Sequence, residues 1–430
     1  MSSNNKQPGS VNSLISRRSL LGSIAGGASL IAGSGVFAQE SPVQFILKQK
    51  QAEWQEQFDT SAHEQAAVYS GESVLSPNTQ IYLEQAIQYY AGITQRGGWP
   101  VVPADTRLKL GVQHQNVEIL RARLMISGDL RQNAGRSTIF DSYVDAALKR
   151  FQARHGLETD GIAASVTFAA VNVPATVRLR QLETNFVRTR SLSGSLGKRY
   201  VMVNIPAAHI ETVEGSSVYS RHTAVVGKID RPTPVLNSKI HEINFNPYWH
   251  VPVSIIRRDL IPKMQKEPDY LLENRIHIYD RKGNELSATD VNWSTDEATQ
   301  YLFRQEPGQK NSLGNVRINF RNTHQVYLHD TPSKTLFGTT NRFHSSGCVR
   351  VQGVRDFVSW LLKDNGRIDR AGVDEIIRGG ERLDVRVRRS VPIYMTYITA
   401  WSSSLGVVHF REDIYNRDGL GSVAAVTDPV

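Results

Sequence analysis

Residues 316–329, VRINFRNTHQVYLH, decide the fold class of the second half of the chain. Two runs in this stretch, at 316–320 and 325–329, are short and rich in β-branched and aromatic residues, with polar residues between them. Such runs predict β-strands separated by a turn. Runs of the same kind occur upstream, at 200–205, 222–227 and 240–245. We therefore expect a mainly antiparallel sheet, barrel or sandwich after about residue 195.

Two segments interrupt the strand pattern. Val354, Phe357 and Leu361 recur at helical spacing, which predicts a helix inside the strand-rich half. Residues 266–314 are charged, partly helical and long for a connection, so they predict a lid-like insertion over the sheet. The expected fold is α+β, with a catalytic domain at 195–390, the insertion at about 266–314, and a C-terminal extension at 391–430.

Small helical domains are expected ahead of the sheet, beginning with residues 39–108. Ser76-Pro77 is a plausible cap and first turn, and Leu83, Ile87 and Tyr90 fall on one helical face. No residue pattern in this segment suggests chemistry. We interpret it as a scaffold.

Residues 109–175 form a second predicted helical unit with three helices. Ser142-x-x-Asp145 resembles a capping box, Gly156 is expected to end the same helix, and 165–171 predicts a third, short helix. The first two helices are indicated by apolar stripes at Val117, Leu120 and Leu124, and at Val144, Leu148 and Phe151. The order of residues 145–161 resembles the three-helix peptidoglycan-binding domain. The alternative is a generic helical bundle that supports the rest of the chain.

Composition excludes several classes of protein. The chain has 430 residues and a formal charge of +9. Because it contains a single cysteine, an intramolecular disulfide is impossible. Its basic residues are scattered, without a basic run or an aromatic-basic stripe, so nucleic-acid binding has no support. The histidines show no metal-binding pattern such as HExxH, and we predict neither a metal site nor a cofactor.

The N-terminus carries an export signature. Ser16-Arg17-Arg18-Ser19-Leu20 is followed by a weakly apolar Gly/Ala-rich stretch and by Val36-Phe37-Ala38, a small-residue cleavage pattern. This predicts a twin-arginine signal peptide at residues 1–38 and an exported mature protein without a stable membrane span. The alternative is an uncleaved anchor, although the apolar run is short for one.

The single cysteine, Cys348, and the preceding His329 are the candidate catalytic pair. A thiol attacks as the thiolate and has a pKa of about 8.5 when free, so it needs a base or a positive field near neutral pH. His329 ends a strand run and is expected to supply the base. Arg350 stands near the thiol in sequence and is expected to favour its ionised form or to bind a substrate carboxylate. A lone cysteine is otherwise more often a small core residue.

Gly347 precedes the cysteine, where a side chain would obstruct an approaching substrate carbonyl. We predict that the backbone N–H groups of Ser346, Gly347 and Cys348 converge on the developing oxyanion, an arrangement that typically contributes about 3 kcal/mol.

The order His329, fifteen residues, then Ser345-Ser346-Gly347-Cys348-Val349-Arg350 resembles the catalytic motif of the L,D-transpeptidases, the YkuD-type domain. The more common family pattern has histidine before the glycine and asparagine after the apolar position. This chain has Ser346 and Arg350 there, and its nearby His344 is displaced by one place.

Those departures resemble the larger YcbB-type branch of the family, and this resemblance implies a periplasmic location for the exported chain. Residues 246–252 and 304–314 also resemble that branch, although by composition alone they are polar, turn-rich loops. The resemblance assigns Tyr327, Trp249, Arg304 and Arg350 to the substrate cleft.

The resemblance implies a two-step acyl transfer between peptidoglycan stem peptides, giving 3–3 crosslinks through a thioester on Cys348. An L,D-carboxypeptidase that passes the same thioester to water is one alternative. A non-catalytic wall-binding protein that uses residues 109–173 is another, and the matching spacing of His329 and Cys348 argues against it.

Overall fold

The computed structural model describes residue 68 and residues 70–194, 196–366 and 368–419. The predicted signal peptide at 1–38 lies outside the described residues. Within the described ranges, no helix is long and apolar enough to cross a membrane.

Helices dominate the first part of the described chain. The second unit begins its helix at Ser142, and the Asp141 side chain accepts a hydrogen bond from the Val144 N–H, so the cap is one residue earlier than predicted. Gly156 ends that helix at φ 71°, as expected. In the first unit the helix begins two residues after Ser76-Pro77. The helices are α1 (Thr79–Gln95), α2 (Gln115–Ile126), α3 (Ser142–His155), α4 (Ser165–Val171) and α5 (Ala175–Ser193).

The predicted apolar stripes of α2 and α3 face each other in one core. Val117, Leu120, Val144 and Leu148 are fully buried there, beside Phe151. The short α4 closes the same core with Phe168 and Val171.

A closed β-barrel forms the second half. In the described residues nine strands make one sheet, in the order β11-β3-β12-β10-β9-β4-β13-β1-β2, and an additional pairing of β2 with β3 closes it. Most pairs are antiparallel; β1–β13, β10–β12 and β11–β3 are parallel. Closure removes the exposed edges that an open sheet presents. The strands are β1 (Arg199–Asn204), β2 (His209–Glu214), β3 (Ser217–Gly227), β4 (Leu236–Phe245), β9 (Val316–Phe320), β10 (Leu328–His329), β11 (Phe343–Ser345), β12 (Val349–Val351) and β13 (Leu383–Thr396).

The barrel core is apolar and continuous with two helices, α9 (Val354–Leu361) and α10 (Arg370–Gly379). Ile318, Leu328 and Val349 are paired across β9, β10 and β12, and all three are fully buried. Because successive side chains on a strand point to opposite faces, the residues beside these three point away from that core.

Strand β13 is the largest departure from the predicted domain limits. It pairs with both β4 and β1, so the barrel continues to Thr396 and past the expected end at 390. Its sequence is rich in arginine and contains Pro392. Proline is unusual in a central strand, so the sequence did not predict a strand here. The hairpin of β14 (Ala400–Ser402) and β15 (Val408–Phe410) then packs on α1 and α5.

The insertion is a small subdomain with a core of its own. It contains a four-stranded sheet ordered β5-β8-β6-β7 and starts at Trp249, earlier than the predicted 266, because β5 pairs with β8. Ile256, Leu260 and Met264 supply part of its core from the helical stretch that follows. Its elements are β5 (Trp249–His250), α6 (Val253–Ile255), a π-helical turn (Ile256–Leu260), α7 (Ile261–Lys266), α8 (Tyr270–Glu273), β6 (Ile276–Tyr279), β7 (Glu285–Leu286) and β8 (Leu302–Gln305).

Candidate active site

A transverse row of five polar side chains crosses the outer face of the barrel. The pairing register places Asp384 of β13 beside Asn244 of β4, then Arg317 of β9, His329 of β10 and Arg350 of β12. Neighbours in register share a face of the sheet. The amide of Asn244 donates to the carboxylate of Asp384 at 2.7 Å, consistent with that shared face. The transverse row therefore puts His329 between two guanidinium groups.

In the register of β10 and β12, Cys348 falls two residues before Arg350, the partner of His329, and so on the same face of the sheet as the imidazole. It precedes Val349, the partner of Leu328, and the Val349 N–H donates to the Tyr327 carbonyl at 3.1 Å. The thiol is half-buried and free. Burial raises its pKa, whereas hydrogen bonds from the backbone and hydroxyl of Tyr327 and the charges of Arg317 and Arg350 act in the opposite direction.

The imidazole of His329 is buried and oriented by its neighbour. Its Nδ1 lies 2.5 Å from the Asp330 carbonyl. Because a carbonyl only accepts hydrogen bonds, Nδ1 carries the proton and Nε2 presents a lone pair. Burial, aided by the charges of Arg350 and Arg317, lowers the pKa of His329 to about 3. The imidazole is therefore neutral near pH 7 and has a basic nitrogen available.

A network of short-range hydrogen bonds holds the loop that carries the cysteine. The Ser345 hydroxyl donates to the Cys348 carbonyl at 2.5 Å and accepts from the Gly347 N–H at 3.2 Å. The Thr233 hydroxyl donates to the Gly347 carbonyl at 2.9 Å. These bonds fix the backbone on both sides of Cys348.

Gly347 is required for its backbone conformation. Its φ is +114°, a region that side-chain-bearing residues rarely occupy. An added Cβ would meet only Pro232 O and Val326 Cγ1, both at the ordinary contact distance of 3.7 Å. The physical reason for glycine is thus the positive φ, whereas the sequence suggested substrate access.

The predicted oxyanion donors are not equivalent. The Gly347 N–H already donates to Ser345. The backbone N–H groups of Ser346 and Cys348 have no acceptor among the described residues. These two N–H groups are the stronger candidates for binding an oxyanion, and the role of all three stays a prediction.

Arg317 was missed at the sequence level, because nothing local marks an arginine inside a β-strand. Its guanidinium lies over the Tyr327 ring, 4.3 Å from the centroid. Arg317 and Arg350 make no ion pair and donate no hydrogen bond to any residue that the structure describes, and the Nε of each is buried without a partner. The site therefore contains two uncompensated positive charges.

Tyr327 and Trp249 connect Cys348 to the insertion. The Tyr327 hydroxyl interacts with the Cys348 thiol and with the Trp249 indole, and burial raises its pKa. Trp249 belongs to β5, at the start of the subdomain. Tyr327 is opposite Cys348 in the register of β10 and β12, and its predicted contact with substrate stays a prediction.

The Arg304 side chain makes its contacts within the subdomain. Its guanidinium lies over the rings of Tyr248 and Tyr279, at 4.9 and 4.7 Å, and donates to the Tyr279 hydroxyl at 2.7 Å. It does not line the cleft described below, so the structure gives no direct support to its predicted contact with substrate. It is next to His250, whose pKa is lowered by burial and by nearby arginines, Arg304 first among them.

A cleft of about 990 Å³ lies between the barrel and the subdomain. Tyr327 and Arg317 belong to its barrel wall, and Tyr248 and His250 form the wall from the subdomain, whereas Cys348 and His329 are not part of the lining. The cleft is large enough for a peptide segment.

A second link joins the nucleophile loop to the subdomain. Arg231 donates to the Ser346 hydroxyl at 2.9 Å and pairs with Asp259 in the π-helical turn. The hydrogen bond with Asp259 raises the pKa of the Arg231 guanidinium, with burial opposing it. Sequence reasoning did not find this link, because its members lie 28 and 115 residues apart.

Two families match the sequence. Residues 198–377 match the YkuD family, described as an L,D-transpeptidase catalytic domain, and residues 113–171 match a family provisionally described as a peptidoglycan binding domain. A protein of Haemophilus influenzae, provisionally named an L,D-transpeptidase, is 33% identical over 227 residues. That match covers 53% of this chain and 46% of the relative, so the chain spans less than half of that protein's length.

Solved structures of L,D-transpeptidases are also similar. One from Stackebrandtia nassauensis has 13% identity, with 69% of this chain and 97% of that chain covered and a TM-score of 0.24. One from Xylanimonas cellulosilytica has 15% identity, with 68% and 99% covered and a TM-score of 0.22. At these TM-scores the assignment rests on the sequence matches. They confirm the predicted YkuD-type domain at residues 198–377 and the predicted peptidoglycan-binding-like domain at residues 113–171, and the resemblance to the YcbB-type branch stays a prediction.

Proposed function

We propose that this chain, which carries a YkuD-type L,D-transpeptidase catalytic domain and a peptidoglycan-binding domain, crosslinks peptidoglycan stem peptides through a thioester on Cys348. The observation that carries the proposal is the arrangement of Cys348 and His329 on neighbouring strands. A half-buried thiol lies two register positions from a neutral imidazole, on the same face of the sheet, and the Nε2 of that imidazole is free to accept a proton.

In the first step, the Cys348 thiol gives its proton to His329 Nε2 as the sulfur attacks the carbonyl of the L-centre at stem position three. The C–S bond forms, and the carbonyl oxygen becomes an oxyanion near the N–H groups of Ser346 and Cys348. Collapse of this intermediate breaks the C–N bond. His329 returns the proton to the departing nitrogen, and D-alanine leaves from position four.

In the second step, the side-chain amine of another stem attacks the thioester. His329 takes a proton from that amine, the new C–N bond forms, and the C–S bond breaks. The thiolate recovers its proton from the imidazolium. The product is a 3–3 crosslink, and neither step needs an oxidant, a nucleotide or a metal.

The electrostatics favour a neutral resting pair. Burial raises the pKa of Cys348 and lowers the pKa of His329 to about 3, so a preformed thiolate–imidazolium pair is disfavoured. Proton transfer is then expected during attack on bound substrate. This keeps the thiol protonated, and less prone to oxidation, when the cleft is empty.

The helical unit at 113–171 supports delivery to the cell wall. Two domains that act on peptidoglycan are consistent with an extracytoplasmic location. We further propose export by the twin-arginine signature at 16–20 and a periplasmic site of action.

The subdomain is proposed to act as a lid that favours an amine over water. Its contacts with the nucleophile, through Trp249–Tyr327 and Asp259–Arg231–Ser346, support that role. If the lid excludes water poorly, the same chemistry yields the L,D-carboxypeptidase alternative.

Product analysis distinguishes these outcomes. Purified enzyme is incubated with disaccharide-tetrapeptide, and the products are separated and weighed by mass spectrometry. Dimeric muropeptides indicate transfer and shortened monomers indicate hydrolysis. Binding to sacculi without either product would favour the wall-binding alternative.

A further inference from the structure

His329 is flanked on both sides of its strand by a guanidinium without a counter-ion. Arg317 and Arg350 occupy the adjacent positions of the transverse row, and both charges act on His329 and on Cys348. Asp330, the acid next to His329 in sequence, is already engaged with Lys334 and with the Asn315 N–H.

Two partly buried guanidinium groups without an acid are costly unless an anion joins them. Neither donates to a described residue, so their N–H groups are available. A carboxylate is the anion whose geometry matches a guanidinium best. The two positive charges therefore favour a substrate that places a carboxylate beside Arg317 or Arg350.

Covalent geometry locates that carboxylate on the substrate. His329 must return a proton to the departing nitrogen, so that nitrogen lies within hydrogen-bond reach of the imidazole. In an amino acid the carboxylate is bonded to the Cα that bears the nitrogen, which places its oxygens within about 4 Å of that nitrogen. The carboxylate of the leaving residue therefore falls beside one of the two arginines that flank His329.

Exposure to the cleft distinguishes Arg317 from Arg350. Arg317 lines the 990 Å³ cleft, whereas Arg350 does not line it. The Arg317 guanidinium is also braced by the Tyr327 ring, which itself contacts the nucleophile. Such stacking restrains the side chain without using its N–H groups.

We propose that Arg317 is a specificity-determining residue that binds the α-carboxylate of the amino acid on the leaving side of the scissile bond. The inference rests on the proposed function and deepens it. It makes donors that end in a free carboxylate at this residue better substrates than donors in which that group is an amide, whether through chain extension or through amidation.

The test compares two donors that differ in one group: a stem tetrapeptide with a free C-terminal carboxylate and its C-terminal carboxamide. The rate of thioester formation with each is measured by intact-protein mass spectrometry for wild type, Arg317→Gln, Arg317→Lys and Arg386→Gln. Arg386 is an exposed arginine on β13 of the same barrel, so its variant matches the loss of charge away from the cleft.

Wild type and Arg386→Gln are expected to prefer the acid donor by about 10- to 100-fold. In Arg317→Gln that ratio is expected to fall towards one, and Arg317→Lys is expected to retain part of it. The ratio is unaffected by any change that slows both donors equally, such as a shift in the pKa of His329.

Equal rates with both donors in wild type would overturn the inference while leaving the proposed function intact. An unchanged acid-to-amide ratio in Arg317→Gln would also overturn it. Absence of any thioester with either donor would instead count against the proposed function. Alkylation of Cys348 by the neutral reagent iodoacetamide confirms that each variant keeps its thiol site.

Discussion

The hydroxyl of Thr233 donates to the carbonyl of Gly347 at 2.9 Å and accepts from the Gly227 N–H at 2.8 Å. The loop before β4 thereby holds the residue that precedes the nucleophile. Tyr415 extends the same network from the C-terminal segment, since its hydroxyl donates to the Gly227 carbonyl at 2.5 Å. The nucleophile loop is therefore positioned by segments far from it in sequence.

Replacing Thr233 by valine keeps the volume of the side chain but leaves two buried backbone groups without partners. We expect a loss of about 1–3 kcal/mol in the free energy of unfolding and a lower rate of acylation. Urea denaturation and thioester formation measure the two effects. Thr233→Ser retains the hydroxyl and should stay close to wild type; a fully active, stable valine variant would contradict this role.

Gly347→Ala tests the backbone strain at φ +114°. We expect a destabilisation of about 1–3 kcal/mol and a displaced nucleophile, because alanine avoids this conformation. Gly338→Ala is the matched control, since it has open space and no positive φ. Thermal unfolding and the rate of alkylation of Cys348 provide the comparison. Similar behaviour of the two variants would show that the conformation is not strained.

Buried neutral histidines predict loss of stability in mild acid. Burial lowers the pKa of His329 and of His209 to about 3, and it also lowers the pKa values of His155 and His409. Below the unfolded value of about 6.5, each histidine binds a proton in the unfolded chain but not in the folded one. The stability present above pH 6.5 is therefore lost as the pH falls.

The expected slope approaches about 1.4 kcal/mol per pH unit for each such histidine below pH 6.5. Urea unfolding at pH 7.5, 6 and 5 measures it, in a range above the ordinary carboxylate pKa values. His209→Gln should show a shallower slope than wild type, whereas a variant of an exposed histidine, His324→Gln, should not. Equal stability at pH 7.5 and 5 in wild type would contradict the prediction.

The link from Asp259 through Arg231 to Ser346 predicts that the lid controls the fate of the thioester. Asp259→Asn removes the charge that holds Arg231, so water should enter more readily and the ratio of hydrolysis to transfer should rise severalfold. Asp269→Asn, in the same subdomain, has no ion pair among the described residues and serves as control. Mass spectrometry of the products gives the ratio, and an unchanged ratio would remove support for the link.

Local patterns in the sequence predicted a good part of this molecule. The strand Val316–Phe320 and the helix Ser165–Val171 have the predicted limits, and the α+β fold class is confirmed. These elements have strong periodicity or clear boundary residues, which short-range rules capture.

Long-range register was not predictable in the same way. The transverse row joins residues 244, 317, 329, 350 and 384, which become neighbours only when distant strands pair. Arg317 consequently had no local signal. The arginines and Pro392 of β13 gave no strand pattern in the sequence. The start of the lid has the composition of a proline-containing loop, and only its pairing with β8 identifies it as strand β5.

The most direct test of the account is the mass of the protein after brief incubation with a tetrapeptide donor. The sequence contains a single cysteine, so a thioester adduct reports on Cys348 alone. We expect wild type to gain the mass of the donor minus D-alanine, His329→Gln to gain it at least about 100-fold more slowly, and Cys348→Ala to gain none and form no crosslinked product. Crosslinking by Cys348→Ala at the wild-type rate would contradict the account.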